Sequence, residues 1–274
     1  MNINPEILHR KGAIKIENIP TEVLKLLNLG YIETVNLTEW LAIDHSVLVG
    51  SVFPEMGVSE EIILQITSLL KQQKKASAMN SIRVVSSVLY KEYMSSSDYE
   101  ILFQKLKSHI SDSVRCYATY FLELNENISL KDKFIQLKPL IADTHFGVRE
   151  VAWMALRKDI NDNLDFSIKF LTDWTKSENE NIRRFCTEST RPRGVWCPHI
   201  DELKEKPELA LSILEKLKSD SSKYVQDSVG NWLNDASKTR PDFVTQLCER
   251  WEKENPTKNT QYIVRKALRT ILKG

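Results

Sequence analysis

The sequence predicts an all-α fold, a solenoid of helix pairs wound into an α-α superhelix with a concave groove. Three observations predict it. A short pattern recurs six times: Ser81-Ile-Arg-Val-Val-Ser, Ser113-Val-Arg-Cys-Tyr-Ala, Gly147-Val-Arg-Glu-Val-Ala, Asn181-Ile-Arg-Arg-Phe-Cys, Tyr224-Val-Gln-Asp-Ser-Val and Ile263-Val-Arg-Lys-Ala-Leu. Its β-branched anchors Ile82, Val114, Val148, Ile182, Val225 and Val264 are separated by 32, 34, 34, 43 and 39 residues, a period that signifies stacked helical repeats. The segments between anchors are amphipathic at helical spacing, and no strand-like alternation bounded by turn pairs stands out.

Each element follows from this frame. Anchor and the small or apolar residue four places on share one helix stripe that packs on neighbouring helices. Asp or Asn precedes several anchors, as at Asp112, Asp143, Asn179 and Asp220. The pattern Asp-x-x-Val-Arg-x-x-Ala resembles the HEAT repeat, where it opens the second helix of a pair. First helices are predicted at Tyr99–Leu106, Leu164–Leu171, Pro207–Leu214 and Phe243–Trp251. Pro192, Pro198, Pro207, Pro241 and Pro256 are expected in turns or first turns, where a missing N–H matters least. Residues 1–80 read as helical without the motif and are expected to cap the array; residues 81–274 form the repeat domain.

Composition excludes several classes. The 274 residues carry 38 Lys and Arg against 37 Asp and Glu, so any basic surface must arise by local segregation. Only 8 glycines are present, well below the usual ~7%, and no GxGxxG, Walker or GxSxG motif occurs. Cys116, Cys186, Cys197 and Cys248 form no CxxC pair, and the first residues carry no signal-peptide pattern, so reduced thiols and a cytoplasmic location are expected. Apolar runs fall short of the ~18 residues that span a membrane. The five histidines stand apart without HExxH, so no metal is expected.

One stretch concentrates chemistry. Asn181 to Trp196 holds four arginines, Glu188 and a tryptophan. Guanidinium groups this close are costly to bury and are expected to face something anionic. Counted from their anchors, Glu150 is at plus two, Glu188 at plus six and Asp235 at plus ten. At ~100° per residue these positions drift by about 40° per step along one stripe, which predicts three carboxylates on one groove. The competing reading is a solvated face, or ion pairs stitching repeats together, with Asp235 capping a following turn. Trp153 and Trp232 fit a core by periodicity. Trp196 follows the helix-breaking Arg191-Pro-Arg-Gly and is suited to stack on a sugar or base.

Three blocks carry a family resemblance: Phe146-Gly-Val-Arg-Glu-Val-Ala-Trp-Met-Ala-Leu-Arg157, Arg183-Arg-Phe-Cys-Thr-Glu-Ser-Thr-Arg-Pro-Arg-Gly-Val-Trp196, and Tyr224-Val-Gln-Asp-Ser-Val-Gly-Asn-Trp-Leu-Asn-Asp-Ala-Ser-Lys238. From about residue 80 onward the chain resembles the HEAT-like repeat alkylpurine DNA glycosylases of the AlkC/AlkD superfamily, and within it AlkC. The resemblance implies a monofunctional DNA glycosylase for base excision repair. Such an enzyme hydrolyses the N-glycosidic bond of cationic alkylated bases such as 3-methyladenine, with 3-methylcytosine and 1-methyladenine also associated with AlkC-like members. It works from the concave groove without flipping the base into a pocket, and needs no metal and no cofactor. The implied partner is alkylated double-stranded DNA, with no membrane; a monomer is expected.

Carried onto this chain, the resemblance makes Glu188, Asp235 and Glu150 the catalytic carboxylates. It makes Arg184, Arg191, Arg193, Trp196, Trp153 and Lys238 DNA contacts. Val151 stands where many relatives have Trp, and the immunoglobulin-like domain of some AlkC proteins is not expected here. The residue types suit the chemistry: carboxylates and an aromatic face stabilise a developing sugar cation, and arginines hold flanking phosphates. The alternative is a non-catalytic HEAT-repeat module binding DNA or protein.

Overall fold

All six anchors lie in helices and are buried, none more than 5% exposed. The computed structural model describes residues 3–74 and 77–273, and the described residues contain helices and no strand. The chain divides into two compact units, one running through Ser129 and including Thr144–Ala152, the other comprising Leu130–Asp143 and the chain from Trp153 on.

The first unit holds α1 (Pro5–Leu8), α2 (Thr21–Asn28), α3 (Leu37–Leu41), α4 (His45–Met56), α5 (Glu60–Lys71), α6 (Ala78–Tyr93), α7 (Tyr99–Lys107) and α8 (Asp112–Glu123). Helix α5 packs on α6, α7 on α8, and the second helices α6 and α8 lie side by side. The second unit holds α9 (Leu130–Ile141); α10 (Phe146–Ala155) is divided between the units after Ala152. There follow α11 (Arg157–Asp162), α12 (Leu164–Trp174), α13 (Glu180–Glu188), α14 (Asp201–Glu205), α15 (Leu211–Leu217), α16 (Lys223–Ala236), α17 (Pro241–Glu254) and α18 (Lys258–Ala267). Helices α13, α16 and α18 pack in a row, and α12, α15 and α17 each pack on the second helix of their own pair. The predicted first helices are present, with one correction. Pro207–Ala210 is a 3-10 turn and the α-helix begins at Leu211, because Pro207 supplies no N–H at the start of the element.

The residue after each anchor explains how the repeats keep their shape. In α8, α10, α13 and α16 the anchor is the third helical residue. The side chain that follows turns back to the carbonyls of the preceding turn. Arg115 donates to His109 O at 2.8 Å and Ile110 O at 2.9 Å, and Arg149 to Thr144 O at 2.8 Å. Arg183 donates to Ser177 O and Glu178 O, both at 2.9 Å, and Gln226 to Asp220 O at 2.8 Å. Glutamine replaces arginine here because the role is donation to a carbonyl rather than charge. In α6 and α18 the anchor sits deeper in the helix. Arg83 and Arg265 there lie over the Tyr120 and Tyr262 rings instead, each 5.4 Å from the centroid.

The row of second helices depends on close approach. A Cβ built on Gly230 of α16 would stand 2.8 Å from Lys266 Cβ of α18, a contact near the backbone that cannot swing aside. Gly230→Ala should therefore lower stability by about 1–3 kcal/mol through overpacking, despite alanine's better helix propensity. Chemical denaturation of both proteins checks this.

Candidate functional site

The site residues of the second unit gather where α13 and α16 end. Asn179 caps α13, its side chain accepting from the Asn181 and Ile182 amides. The helix stops at Glu188, whose carbonyl would need the N–H that Pro192, four residues on, lacks; the Ser189 and Thr190 hydroxyls bond back to the carbonyls of Phe185 (2.7 Å) and Cys186 (2.8 Å). Trp232 of α16 donates its indole N–H to Thr190 O at 2.9 Å. Thr187 and Ser228 hydroxyls meet at 2.6 Å. These buried bonds fix the end of α13 against α16.

Glu188 is the last residue of α13, and Asp235 lies in the last turn of α16. Both are buried, 3% and 4% exposed. A carboxylate at a helix C-terminus opposes the macrodipole and, once buried, requires a cation. Arg191 supplies it to both. Its Nε donates to Asp235 Oδ2 at 2.8 Å, its Nη2 lies 2.7 Å from the same oxygen, and its Nη1 lies 3.3 Å from Glu188 Oε2. Arg184 approaches Glu188 Oε1 at 3.6 Å while its guanidinium covers the Tyr224 ring, 4.2 Å from the centroid. Lys238 lies 3.3 Å from Asp235 Oδ1, and Arg193 donates to the Asp235 carbonyl at 3.2 Å. Burial, the largest influence on the Arg191 guanidinium, works against its charge, but Glu188 and Asp235 together raise its pKa above the ordinary value.

Of the four arginines expected to face an anion, Arg183 and Arg191 meet carboxylates of the chain itself, and Arg183 does so away from Glu188 and Asp235. Its Nε donates to Asp220 Oδ2 at 2.7 Å and its Nη2 to Oδ1 at 2.9 Å, a bidentate pair beside the turn carbonyls it also holds. Asp235 is not the cap of a following turn; it belongs to α16, with its carboxylate on Arg191. Trp196 stands apart from the buried groups. It is 67% exposed and has φ of 61°, a left-handed conformation that is an outlier for a bulky residue. Trp153 is buried in α10, 3% exposed, and Trp232 is fully buried. Glu150 belongs to the first unit, half-buried in α10 two residues after Val148.

Sequence reasoning missed Arg157. It is 3% exposed, donating to Ser189 O at 2.8 Å, to Pro198 O at 3.2 Å and to Arg191 O. Burial pushes its pKa down to about 10, which leaves it charged at neutral pH. The signal was an arginine ending the apolar run Val151-Ala-Trp-Met-Ala-Leu156. Arg184, Arg191 and Lys238 thus contact the two carboxylates with their side chains, while Arg193 and Arg157 are held by backbone carbonyls beside them. Cations gathered in this number suit an anionic partner. Among the described residues no group of three or more His, Cys, Asp and Glu is placed to hold a metal, and no helix is long and apolar enough to cross a membrane.

Comparison with known proteins finds likenesses to DNA alkylation repair proteins. Residues 148–271 match the sequence profile of the DNA alkylation repair enzyme family. The structure resembles the Pseudomonas fluorescens alkylpurine DNA glycosylase AlkC bound to DNA containing an abasic site analog. The TM-score is 0.68 at 26% identity, over 84% of this chain and 62% of that one. AlkD2 from Streptococcus mutans shares the fold, with a TM-score of 0.57 at 24% identity over 76% of this chain and 97% of that one. The uncharacterized protein YhaZ of Bacillus subtilis is 37% identical over 137 residues, half of this chain and 37% of YhaZ. The chain therefore spans less than two thirds of the length of YhaZ and of AlkC.

Proposed function

We propose that this chain, an AlkC/AlkD-like DNA alkylation repair protein by its repeats, is a monofunctional DNA glycosylase acting on cationic alkylated bases in duplex DNA. The observation that carries the reading is the pair Glu188 and Asp235. They are two buried carboxylates from successive repeats, on one guanidinium, with Arg184, Arg193 and Lys238 around them. Buried acids at helix C-termini run against local stability, which is where function is expected to override it. The likeness to an AlkC that binds abasic-site DNA supports the same reading.

The chemistry follows from the charges. In a base such as 3-methyladenine the C1′–N bond breaks with its electron pair moving to the positively charged ring system, so the base leaves neutral and needs no proton. Positive charge passes to C1′ and the ring oxygen. Carboxylates in a water-poor site stabilise that charge, and water adds to C1′ as its proton passes to a carboxylate or to solvent. Glu188 is the less tightly held acid, with its contacts at 3.3 and 3.6 Å, and takes the role nearest the sugar and water. Asp235, tied to Arg191 by the shorter contacts, supplies fixed negative charge. Arg193, Lys238 and Arg184 hold phosphates, and exposed Trp196 lays its face against the sugar. The resemblance alone carries Glu150 as a third carboxylate, Trp153 as a DNA contact and the helices before residue 81 as a cap; Glu150 is half-buried and Trp153 buried.

The test is release of free base from duplexes containing 3-methyladenine, 7-methylguanine or 3-methylcytosine, followed by chromatography. Release of the cationic bases and retention of normal guanine and adenine are expected. A second reading, a non-catalytic DNA-binding module, is favoured by the arginine contact on each buried carboxylate. Salt-dependent duplex binding with no release from any of the three substrates establishes it and overturns the first.

A further inference from the structure

The turn between α13 and α14 is held from inside. A buried cation without a carboxylate salt bridge is destabilising compared with an apolar side chain, yet Arg157 is buried with three backbone carbonyls as its partners. These carbonyls belong to Ser189 and Arg191 on the way into the turn and to Pro198 on the way out. One rigid planar fork thus ties both legs together. Ile200 N closes the base by donating to Pro192 O at 3.1 Å. The turn is packed on itself: a Cβ on Gly194 would come within 2.2 Å of Cys197 Sγ. Trp196, at its outer edge, keeps a left-handed φ of 61°, a conformation that persists only where its surroundings over-determine it. Arg191, whose carbonyl Arg157 holds, is the residue whose side chain reaches Glu188 and Asp235.

We infer that Arg157 is the positioning residue of this site: through the backbone of residues 189–198 it aims Arg191 at the two carboxylates and presents Trp196 outward. Its effect on catalysis rests on the glycosylase reading; its effect on the turn does not. A lysine keeps the charge but has one nitrogen, which cannot span three carbonyls.

The experiment compares Arg157→Lys with Arg183→Lys, the latter loosening a half-buried arginine that holds the separate turn at Ser177 and Glu178. Three readings are taken on folded protein: thermal midpoint, kcat and KM for 3-methyladenine release, and emission of Trp196. The emission is isolated by subtracting the spectrum of the matching Trp196→Phe protein. Arg157→Lys should lower kcat by about a hundredfold, the scale of an ångström-level misplacement, with a smaller change in KM. It should also shift the Trp196 difference spectrum and its acrylamide quenching. Arg183→Lys should lower the midpoint without either change. If both variants lose midpoint alike while kcat per folded molecule and the Trp196 signal stay at the parent's values, Arg157 is merely structural and the inference fails. If the parent itself releases no base, the glycosylase reading fails, and the inference for the turn is decided by the Trp196 signal alone: a shift confined to Arg157→Lys upholds it, and an unchanged spectrum overturns it.

Discussion

Replacing Glu188 by Gln should lower the rate of 3-methyladenine release by about 10²- to 10³-fold, the scale lost when one preorganised electrostatic group is removed from a reacting centre. Glutamine keeps the shape and one oxygen, so Arg191 retains an acceptor and the fold should hold. What disappears is the negative charge facing the sugar cation. The loss should fall in kcat, since charge develops at the transition state and not in the bound duplex. Asp235→Asn should behave similarly, and the double variant should lose less than the product of the two, because both acids act on one centre through one shared arginine. Single-turnover base release with saturating enzyme measures this. Full activity in Glu188→Gln would remove that residue from the chemistry.

Arg191→Met should be among the most destabilising substitutions in the second unit. Methionine fills much of the volume, but the change leaves Glu188 and Asp235, both under 5% exposed, without their shared cation. Breaking a buried pair by removing one partner costs about 3–5 kcal/mol. The combination Arg191→Met with Asp235→Asn should regain a substantial part of that, since the asparagine carries no charge to strand. Urea denaturation of the parent, both single variants and the double variant forms the cycle. Additive losses would mean that the 2.7 Å contact between Arg191 and Asp235 contributes no coupling.

The repeats were legible because burial is written into single positions: the six anchors and the small residues behind them carry their own period, and all six anchors are buried. Glu188 and Asp235 were also legible as members of one stripe, because helical geometry can be counted from an anchor. The fate of the arginines was not. Arg191 meets Asp235 across 44 residues, and Arg183 meets Asp220 across 37. No local spacing shows which of several neighbouring guanidinium groups will point outward. Arg157 escaped because its partners are carbonyls, which leave no residue-type signature. The depth of Ile82 and Val264 in their helices was hidden as well, being set by the caps Ser77 and Thr257 rather than by the motif itself.

The step from Ile182 to Val225 is 43 residues, nine longer than the 34 of the step before it, and it is within this step that the turn held by Arg157 falls. The lengthening is thus concentrated between pairs, while the tight turns inside α12–α13 and α15–α16 are locked by Arg183 and Gln226. Architecture and reactivity are therefore encoded in different parts of the repeat. The intra-pair turns are tied down by side chains of the motif, and the longer inter-pair connection carries the residues of the site. On this view the site is an excursion from the repeat, and the longest of the five intervals marks its place before any side chain is considered.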